Sequence, residues 1–376
     1  MRILLIFAAS LAVCCSPGPD SAAPDSVPDS VPDSSSDDSG RPDSGETGDT
    51  DPPTPQDADG DGFFSIATAP DPLLADCDDA DPWIGPDNER FIPPGPFLRG
   101  QDGDAWASPQ REIELSGYCL QVTEITVAAF IEFLQGEVDL GQARVEDGWV
   151  YDLDGVALYD LLDANGDDTV PEWITWDGAR FAPYPGHEQY PVAEVTWFGA
   201  DAYCRSLGLG LPTEAQWEKG ARGGCDLAGD PDACEVGVDD RTYPWGEAEP
   251  TCDLANYGVP IGDQGETCMG GPVEVGLYPG GASPYGLLDM AGNEMEWVAD
   301  WFQADSYAED PAVDPQGPDE GFIVDPQGGV IEDLKGNRGG CWLLGPDQLR
   351  TWDRFWDATW GNSNSIGLRC ARSFGP

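Results

Sequence analysis

The sequence predicts an α+β fold with much irregular structure, and three observations carry that prediction. Hydrophobic residues make up 40% of the chain, among them 14 Trp, 13 Phe and 11 Tyr, which provides a large core and excludes disorder throughout. The 48 Gly and 35 Pro favour loops over long helices. Only three short helices can be recognised between segments punctuated by Gly and Pro, so short strands and loops are expected to make up the rest.

The charge balance limits the partners of the chain. It contains 71 Asp and Glu against 17 Lys and Arg, which gives a formal net charge of -54 at pH 7. Such a chain repels the phosphates of nucleic acids and offers no basic stripe to bind them, and anionic membrane surfaces disfavour it for the same reason. Cations are its natural partners, and Ca²⁺ in particular binds carboxylate and carbonyl oxygens.

Residues 1–15 are predicted to be an export signal of the lipoprotein type. Arg2 precedes an apolar run over residues 3–13 that is too short to span a bilayer comfortably. The LAVCC sequence at its end resembles a bacterial lipoprotein cleavage box, in which Cys15, or alternatively Cys14, would carry the lipid. A plain secretory signal is the alternative. We therefore expect an extracytoplasmic protein of the bacterial cell envelope, either lipid-anchored or secreted, that meets the membrane only through such an anchor.

Residues 16–56 are predicted to be a disordered tether. The segment repeats Pro-Asp-Ser, and Val is its only large aliphatic side chain. It cannot bury enough apolar surface to offset the entropy of folding. Because Pro stiffens the segment and the Asp side chains repel one another, it should hold the folded part away from an anchoring surface.

Residues 57–89 are predicted to be an Asp-rich calcium-binding repeat. DADGDGF, which begins at Asp57, places oxygen ligands at alternate positions with a Gly where a Ca²⁺ loop turns sharply. Thr68 stands where an EF-hand would close with Glu, and a second acidic cluster, DCDDADP, follows instead. The pair resembles the repeats of thrombospondin type 3; the alternative is an acidic turn that continues the tether. The predicted ligands are Asp57, Asp59, Asp61, Asp76, Asp78 and Asp81.

Residues 90–376 are predicted to form one globular unit, because no low-complexity segment interrupts them. Its three helices are recognised by apolar periodicity and by a Thr at each N-cap. The third also has a capping box, formed by Thr213 and Gln216. The predicted helices are residues 127–134 after Thr126, residues 197–207 between Thr196 and Gly208, and a helix that starts at Thr213 and stops by Gly223.

Motifs in fixed order over the globular unit resemble the formylglycine-generating enzyme, or sulfatase-modifying factor, family. They are FLRG from Phe97, VTEIT from Val122, PVAEVTW from Pro191, AYC from Ala202, LPTEAQWE from Leu211, YPWG from Tyr243, YGLLDMAGNEMEW from Tyr285, RGGCW from Arg338 and GLRC from Gly367. The resemblance implies a mixed α/β fold with little regular secondary structure and a core related to C-type lectins. Four tryptophans in these motifs are predicted to fill the core, namely Trp197, Trp217, Trp245 and Trp297.

The resemblance also implies two Ca²⁺ sites. In the family, the stretch that matches the DMAGNEME sequence binds Ca²⁺ through two side chains and two carbonyl groups. Two carboxylates around a turn that contains Gly are also suitable ligands for a hard cation on their own. The residues implied are Asp289 and Glu296 by side chain, and Gly292 and Glu294 by carbonyl. A second site is implied at Asn256 and the carbonyl of Tyr257, with Asp263 or Glu266 as its acidic partner.

Copper is not expected in this chain. Family enzymes use O₂ to oxidise a substrate Cys to formylglycine, and they hold Cu(I) with two thiolates, the soft ligands that this metal requires. At the matching positions this chain has Leu344 and Leu349, and Cys341 stands alone where the family usually has Ser. We therefore expect no formylglycine synthesis, with Cys341 as the only candidate for redox chemistry. His187 is the only histidine, so a histidine metal cluster cannot be built.

Most cysteines are expected to pair. Of the 11 cysteines two belong to the signal, and the remaining nine are expected in an oxidising compartment. The resemblance implies a Cys204–Cys370 disulfide, and pairs Cys225–Cys234 and Cys252–Cys268 would close short loops. Among Cys77, Cys119 and Cys341 we expect Cys119 to pair with Cys341, which leaves one free thiol.

Two functions from different classes therefore stand side by side. The first is an exported, Ca²⁺-stabilised binding module, or an altered enzyme, with an unidentified protein, peptide or glycan ligand. Residues 352–356 together with Trp360 would give such a module an aromatic wall. The alternative is a formylglycine-generating oxidase that acts on a protein cysteine with O₂ through a non-standard thiol site.

Overall fold

The computed structural model describes most of the globular unit and short pieces of the Asp-rich segment. The described residues are Ala58, 64–66, Ala69, 75–78, 88–162, 173–227, 234–259, 266–325 and 327–374. They lie within one compact unit that runs from Pro52 to Pro376. Several predictions fall outside the described residues: the export signal with Cys15, the tether, and the ligands Asp57, Asp59, Asp61, Asp81 and Asp263.

All three predicted helices are present, each with the predicted Thr at its N-cap. They are α1 (Val127–Asp139), α2 (Trp197–Ser206) and α3 (Glu214–Arg222). The capping box of α3 is closed, because the Thr213 hydroxyl accepts from the main-chain N–H of Gln216 at 3.1 Å and the Gln216 side chain accepts from that of Thr213 at 2.9 Å. Helix α1 continues past its predicted end because Val138 still packs on the core. Within the described residues, no helix has the length and apolarity needed to cross a bilayer.

The strands are short, as the Gly and Pro content predicts. Most contain two to five residues, and the longest has seven. They are β1 (Phe64–Ser65), β2 (Ala75–Asp76), β3 (Glu89–Ile92), β4 (Gly95–Arg99), β5 (Arg111–Leu115), β6 (Tyr118–Gln121), β7 (Ala143–Glu146), β8 (Trp149–Asp152), β9 (Ala157–Asp160), β10 (Ile174–Trp176), β11 (Phe181–Pro183), β12 (Gly258–Val259), β13 (Glu266–Thr267), β14 (Met295–Trp301), β15 (Phe322–Val324), β16 (Val330–Glu332), β17 (Leu334–Arg338), β18 (Arg354–Ala358), β19 (Ile366–Gly367) and β20 (Ala371–Ser373).

A four-stranded sheet in the order β18-β17-β14-β19 forms the centre of the domain. Strand β14 pairs antiparallel with β17 and parallel with β19. Because side chains alternate between the two faces of a strand, neighbouring residues of β14 serve different cores. Val298 packs with Trp217 of α3, whereas Trp297 packs with residues of α1 and α2.

A three-stranded antiparallel sheet in the order β20-β6-β3 lies on the other side of α3. Its inner face contributes Tyr118, Leu120 and Ala371 to the apolar cluster that also contains Trp217 and Val298. Helix α3 therefore lies between the two sheets, and a single core holds them together.

Smaller sheets complete the fold. The β4–β5 hairpin adds to the α3 core, while β7, β8 and β9 form an antiparallel meander beside α1 and α2. Four two-stranded pairs, β1–β2, β10–β11, β12–β13 and β15–β16, account for the other strands. Three helices among many short strands confirm the predicted α+β class.

Four disulfides are present in the described residues. Three of them join the expected pairs, Cys204–Cys370, Cys225–Cys234 and Cys252–Cys268. The expectation that Cys119 pairs with Cys341 is wrong, because Cys119 is bonded to Cys77. The side chain of Cys119 lies on the face of β6 that points away from α3, where the Cys77 segment covers it, whereas Cys341 is buried and free in the turn after β17.

Candidate functional site

The turn that leads into β14 holds the residues predicted to bind Ca²⁺. Asp289 and Asn293 both have left-handed backbone conformations, with φ of +56° and +59°. Gly292 also has a positive φ of +80°, and a Cβ at this position would collide with the carbonyl oxygen of Asn256. The main-chain N–H of Asn293 donates to that same oxygen at 2.8 Å. The hydrogen bond from Asn293 to Asn256 therefore places the two implied Ca²⁺ sites next to each other, one in this turn and one at Asn256.

Glu124 holds this turn in place through hydrogen bonds. No role for Glu124 was predicted from the sequence. Its carboxylate accepts from the Asn293 side chain at 2.7 Å and from the main-chain N–H of Glu294 at 2.9 Å. Asn293 in turn accepts from the main-chain N–H of Val273 at 3.0 Å. The only available signal was that Glu124 belongs to the VTEIT motif.

Glu296 is held in a buried ion pair. Both of its oxygens accept from the Arg369 guanidinium, at 2.6 and 2.7 Å, and one also accepts from the Trp217 indole N–H at 2.7 Å. Arg369 donates further to the carbonyl oxygens of Gln121, Val122 and Leu288. Glu296 therefore joins α3, β14 and the GLRC motif, and its oxygens are already engaged.

The surroundings of Glu296 carry more buried acid than base. Burial raises the pKa of Asp289 to about 6, with the Glu296 charge adding to the rise, while a hydrogen bond from Gly276 and the charge of Arg369 oppose it. Burial, followed by the charges of Asp289 and Glu296, also raises the pKa of Glu124 well above its usual range. Protons or a bound cation must balance this excess of negative charge.

Asn256 offers an oxygen that fits a cation. Its side-chain nitrogen donates to the Gly271 carbonyl oxygen at 2.9 Å and to the Asn293 side chain at 3.3 Å, while its side-chain oxygen is buried without a hydrogen-bond partner. The carbonyl of Tyr257 accepts one bond, from Cys268, and keeps a lone pair. Of the predicted acidic partners, Glu266 lies on β13. Ca²⁺ takes about six to eight oxygen ligands, and these two oxygens could be part of such a set.

Two of the predicted ligands in the Asp-rich segment, Asp76 and Asp78, lie among the described residues. Asp76 is buried and accepts from the main-chain N–H of Asp78 at 2.9 Å. Asp78 forms an ion pair with Arg372 of β20 at 3.2 Å. These contacts connect the segment to the three-stranded sheet.

Cys341 is buried beside Glu294. Burial, together with the charge of Glu294, raises the pKa of the thiol to about 12, although main-chain N–H groups of Leu343 and Leu344 and the Ser365 hydroxyl favour the thiolate. Glu294 itself is fully buried, and neither of its carboxylate oxygens has a hydrogen-bond partner. Such a thiol stays protonated and unreactive near neutral pH.

Apolar side chains stand at the two positions where family enzymes hold copper. Leu349 is 1% exposed and packs with Tyr243, Ala255, Tyr257 and Ala291. Leu344 accepts the main-chain N–H of Gly258 with its carbonyl oxygen at 2.8 Å, which anchors the turn to β12. The turn after β17 is therefore packed against its neighbours, and it carries leucines at the positions of the thiolates.

The acidic residues of α3 lie at the centre of a buried ionic network. Glu214 accepts two bonds from Arg354, at 2.7 and 2.8 Å, and lies 3.7 Å from Arg338. Glu218 binds Arg338 at 2.6 Å and Arg222 at 3.0 Å. Burial alone would raise the pKa of Glu214, but Arg354 and Arg338 lower it to about 2.

The predicted aromatic wall does not form as one surface. Arg354 turns inward to Glu214, and Trp352 is largely buried with Tyr307, whereas Trp360 is 58% exposed. The four motif tryptophans lie in or against the core, as predicted, and each indole N–H has an acceptor; they are Trp197, Trp217, Trp245 and Trp297. A surface cavity of about 480 Å³ lies beside Trp352, with Asp240, Arg241 and Glu247 in its lining.

Comparisons with known proteins agree with this architecture. The model of the family described as "Sulfatase-modifying factor enzyme 1-like domain" matches residues 83–374, which is more than half of the chain. The formylglycine-generating enzyme of Thermomonospora curvata is 34% identical over 264 residues, which cover 63% of this chain and 80% of that enzyme. Serine/threonine-protein kinase pkn1 of Chlamydia caviae is 31% identical over 285 residues, which cover 75% of this chain and 37% of the kinase.

Among solved structures, PvdO from Pseudomonas aeruginosa has the same fold. Its TM-score is 0.50 at 19% identity, over 76% of this chain and 94% of PvdO. This chain spans well under half the length of the chlamydial kinase but most of the length of the T. curvata enzyme and of PvdO. With the family match over residues 83–374 and a fold built on the same motifs, the chain belongs to the sulfatase-modifying factor family.

Proposed function

We propose that this protein is a catalytically silent or altered member of its family that acts outside the cytoplasm as a Ca²⁺-stabilised binding module. The observation that carries the proposal is the replacement of the copper thiolates by Leu344 and Leu349. Leu349 is packed among apolar side chains, Cys268 beside that cluster is held in a disulfide, and Cys341 is the one free cysteine in the described residues. A family enzyme without its thiolate pair loses the means to bind Cu(I).

Calcium is proposed as a structural ion of this module. The orphaned oxygen of Asn256 and the buried acidic group around Asp289 and Glu124 both favour a bound cation. Since the turn from Asp289 to Glu296 connects β14 to both implied sites, an ion there would hold the central sheet in place. Asn256 would supply a side-chain oxygen to one of the two implied sites and Asp289 to the other.

The extracytoplasmic location is part of the proposal. Four disulfides in the described residues fit an oxidising compartment. The lipid anchor at Cys15 rests on the sequence of the signal alone. A protein, peptide or glycan would bind at the cavity beside Trp352, where Asp240, Glu247 and Arg241 surround an aromatic ring.

The decisive experiment tests for formylglycine. A peptide that contains Cys-x-Pro-x-Arg is incubated with the protein, Cu(I) and O₂, and mass spectrometry measures the aldehyde. We expect no product above the background without protein, while the T. curvata formylglycine-generating enzyme, run in parallel, converts the peptide. An aldehyde made by this protein would establish the alternative, an oxidase with a non-standard thiol site.

Copper uptake separates the two functions independently. Both the wild type and Cys341→Ala are expected to hold no stoichiometric Cu(I), because one buried thiol of raised pKa is a poor ligand. Tight uptake by the wild type that is lost in Cys341→Ala would contradict the binding module and support the oxidase.

A further inference from the structure

The outer face of the β20-β6-β3 sheet carries a second group of chemically active side chains. Cys119 on β6 is in register with Phe91 on β3 and with Arg372 on β20, so these three side chains share one face. Glu89 stands two residues before Phe91 and therefore lies on the same face. The inner face serves the α3 core, so this outer face needs another cover.

The segment from Ala75 to Asp78 provides that cover. It is held by the Cys77–Cys119 disulfide and by the Asp78–Arg372 ion pair, while Arg372 also binds both oxygens of Glu89, at 2.9 and 3.1 Å. Cys77, Glu89 and Cys119 are 5%, 4% and 0% exposed. The family match begins at residue 83, so Cys77 lies outside the matched residues.

These three residues bring metal-binding atoms together. The two sulfurs and a carboxylate oxygen of Glu89 lie within 4.8 Å of one another, and in the described part of the chain no other group of three His, Cys, Asp or Glu residues does so. Two thiolates and one carboxylate are a ligand set that suits Zn²⁺ or Cd²⁺. The disulfide occupies the sulfurs in the structure.

We propose that Cys77, Cys119 and Glu89 form a divalent metal site when the disulfide is reduced. The segment from Ala75 to Asp78 would then be held to the sheet by the disulfide in one state and by the metal in the other. An external dithiol supplies two electrons and two protons, the S–S bond breaks, two thiols form, and the dithiol becomes a disulfide. The metal then replaces the two thiol protons and bonds to both sulfurs and to one oxygen of Glu89, whose other oxygen keeps its hydrogen bond from Arg372. The segment stays attached to the sheet in both states.

The charges and dimensions of the site favour this second state. A divalent ion offsets the charges of the two thiolates, while Arg372 pairs with Glu89 and with Asp78. Around a tetrahedral ion with metal–sulfur bonds of about 2.3 Å, the sulfurs stand roughly 3.8 Å apart. The Cα atoms of the two cysteines lie 6.2 Å apart, so we expect rotation of their side chains to allow that spacing.

The first test uses the full chain after mild reduction, with Cd²⁺ as the probe. Alkylation followed by mass spectrometry measures the protection of each cysteine with and without Cd²⁺. We expect Cd²⁺ to protect Cys77 and Cys119 in the wild type, and Glu89→Gln to weaken that protection about tenfold or more. Equal alkylation with and without Cd²⁺, or full protection in Glu89→Gln, would overturn the proposal.

The second test avoids reduction and so keeps the other three disulfides. Cys77→Asp leaves the Cys119 thiol beside two carboxylates, and Cys77→Ala is its matched control with the same free thiols. We expect Cys77→Asp to bind one Cd²⁺ at least about tenfold more tightly than Cys77→Ala, with the thiolate-to-metal absorption band as the readout. Equal binding, or no binding by either variant, contradicts a site at this place.

Discussion

At the scale of single residues, Asn256 shows why a cation is expected. Its side-chain oxygen is buried without a partner, which costs about 1–3 kcal/mol. The structure also changes which of the implied residues are the best candidates for binding Ca²⁺. Glu296 was expected to bind metal with its side chain, yet its oxygens accept from Arg369 and Trp217. Asn256 and Asp289 are therefore the better positions at which to test for Ca²⁺.

Removal of Ca²⁺ should lower the melting temperature, and Asn256→Ala or Asp289→Ala should remove most of that response. A ligand that binds only the folded state stabilises it in proportion to the logarithm of its concentration. Thermal unfolding with Ca²⁺ and with chelator measures the difference for each variant. Asp319→Ala, a change at an exposed acidic residue, is the control and should respond like the wild type. An unchanged melting temperature of the wild type in chelator would count against both sites.

Some of these residues could be predicted from the sequence and others could not, for a physical reason. Asp289 and Asn256 stand in motifs whose family role is known, so the resemblance named them. Glu124 and Arg369 stand in motifs too, but their importance lies in contacts with Asn293 and Glu296 across 169 and 73 residues of sequence. Such contacts have no local signal.

At the scale of secondary structure elements, α3 shows what periodicity cannot distinguish. The capping box and the terminal Gly223 predicted both ends of the helix. Glu214, Glu218 and Arg222 recur at every fourth position, a spacing that normally marks a solvated face. All three are buried, because Arg354 and Arg338 from other segments pair with the two glutamates and Arg222 pairs with Glu218 within the helix. The ends of a helix are set by residues close in sequence and can be predicted from it. The residues that pair with its polar face come from distant segments and cannot.

Loss of one arginine from this network should be severe. Arg338→Met leaves Glu218 and Glu214 with a buried charge that has lost a partner, and we expect a loss of about 3–5 kcal/mol in the free energy of unfolding. Thr213→Ala, which removes the N-cap of the same helix, should cost only about 1 kcal/mol. Chemical denaturation measures both.

A matched control is Arg350→Met, because Arg350 pairs with Asp347 at a partly exposed position. Surface ion pairs contribute about 0–1 kcal/mol, so this variant should unfold almost like the wild type. If Arg338→Met lowered the free energy of unfolding as little as Arg350→Met, the ionic network around α3 would not be important for stability.

At the scale of the whole molecule, the many acidic residues affect stability differently when they are exposed and when they are buried. Many carboxylates are solvated, but Asp300 is 1% exposed, and one of its oxygens has no hydrogen-bond partner. Burial, with the charge of Glu214 adding to it, raises the pKa of Asp300 to about 7. Glu214 has a lowered pKa, so the two neighbours act on stability in opposite pH ranges.

The melting temperature should therefore fall between pH 5 and pH 8. Because the pKa of Asp300 is higher in the folded state than in the unfolded state, the folded state binds the extra proton in this range, and that stabilisation is lost as the pH rises through about 7. Asp300→Asn keeps the acceptor for the main-chain N–H of Glu214 and cannot ionise, so its melting temperature should change less with pH. A profile in Asp300→Asn as steep as that of the wild type would assign the pH dependence to other groups.

The overall class and family could be predicted from the sequence, but the strand order could not. Composition and the three helices led to the α+β class, the motifs in fixed order to the family and one disulfide, and short loops between cysteines to two more disulfides. The order β18-β17-β14-β19 and the parallel pairing of β14 with β19 depend on contacts between distant segments. The Cys77–Cys119 bond was missed for the same reason, since the outward direction of Cys119 is known only once β6 is placed in its sheet.

The late position of the residues that close the core sets the order in which this protein can fold. Arg369 binds Glu296, Cys370 joins Cys204 across 166 residues, and β20 completes the three-stranded sheet beside β6. During synthesis, α3 and β14 are made well before these partners exist. These contacts can form only after the segment that follows β19 has been made, and a truncation before Arg369 would leave every one of them unmade.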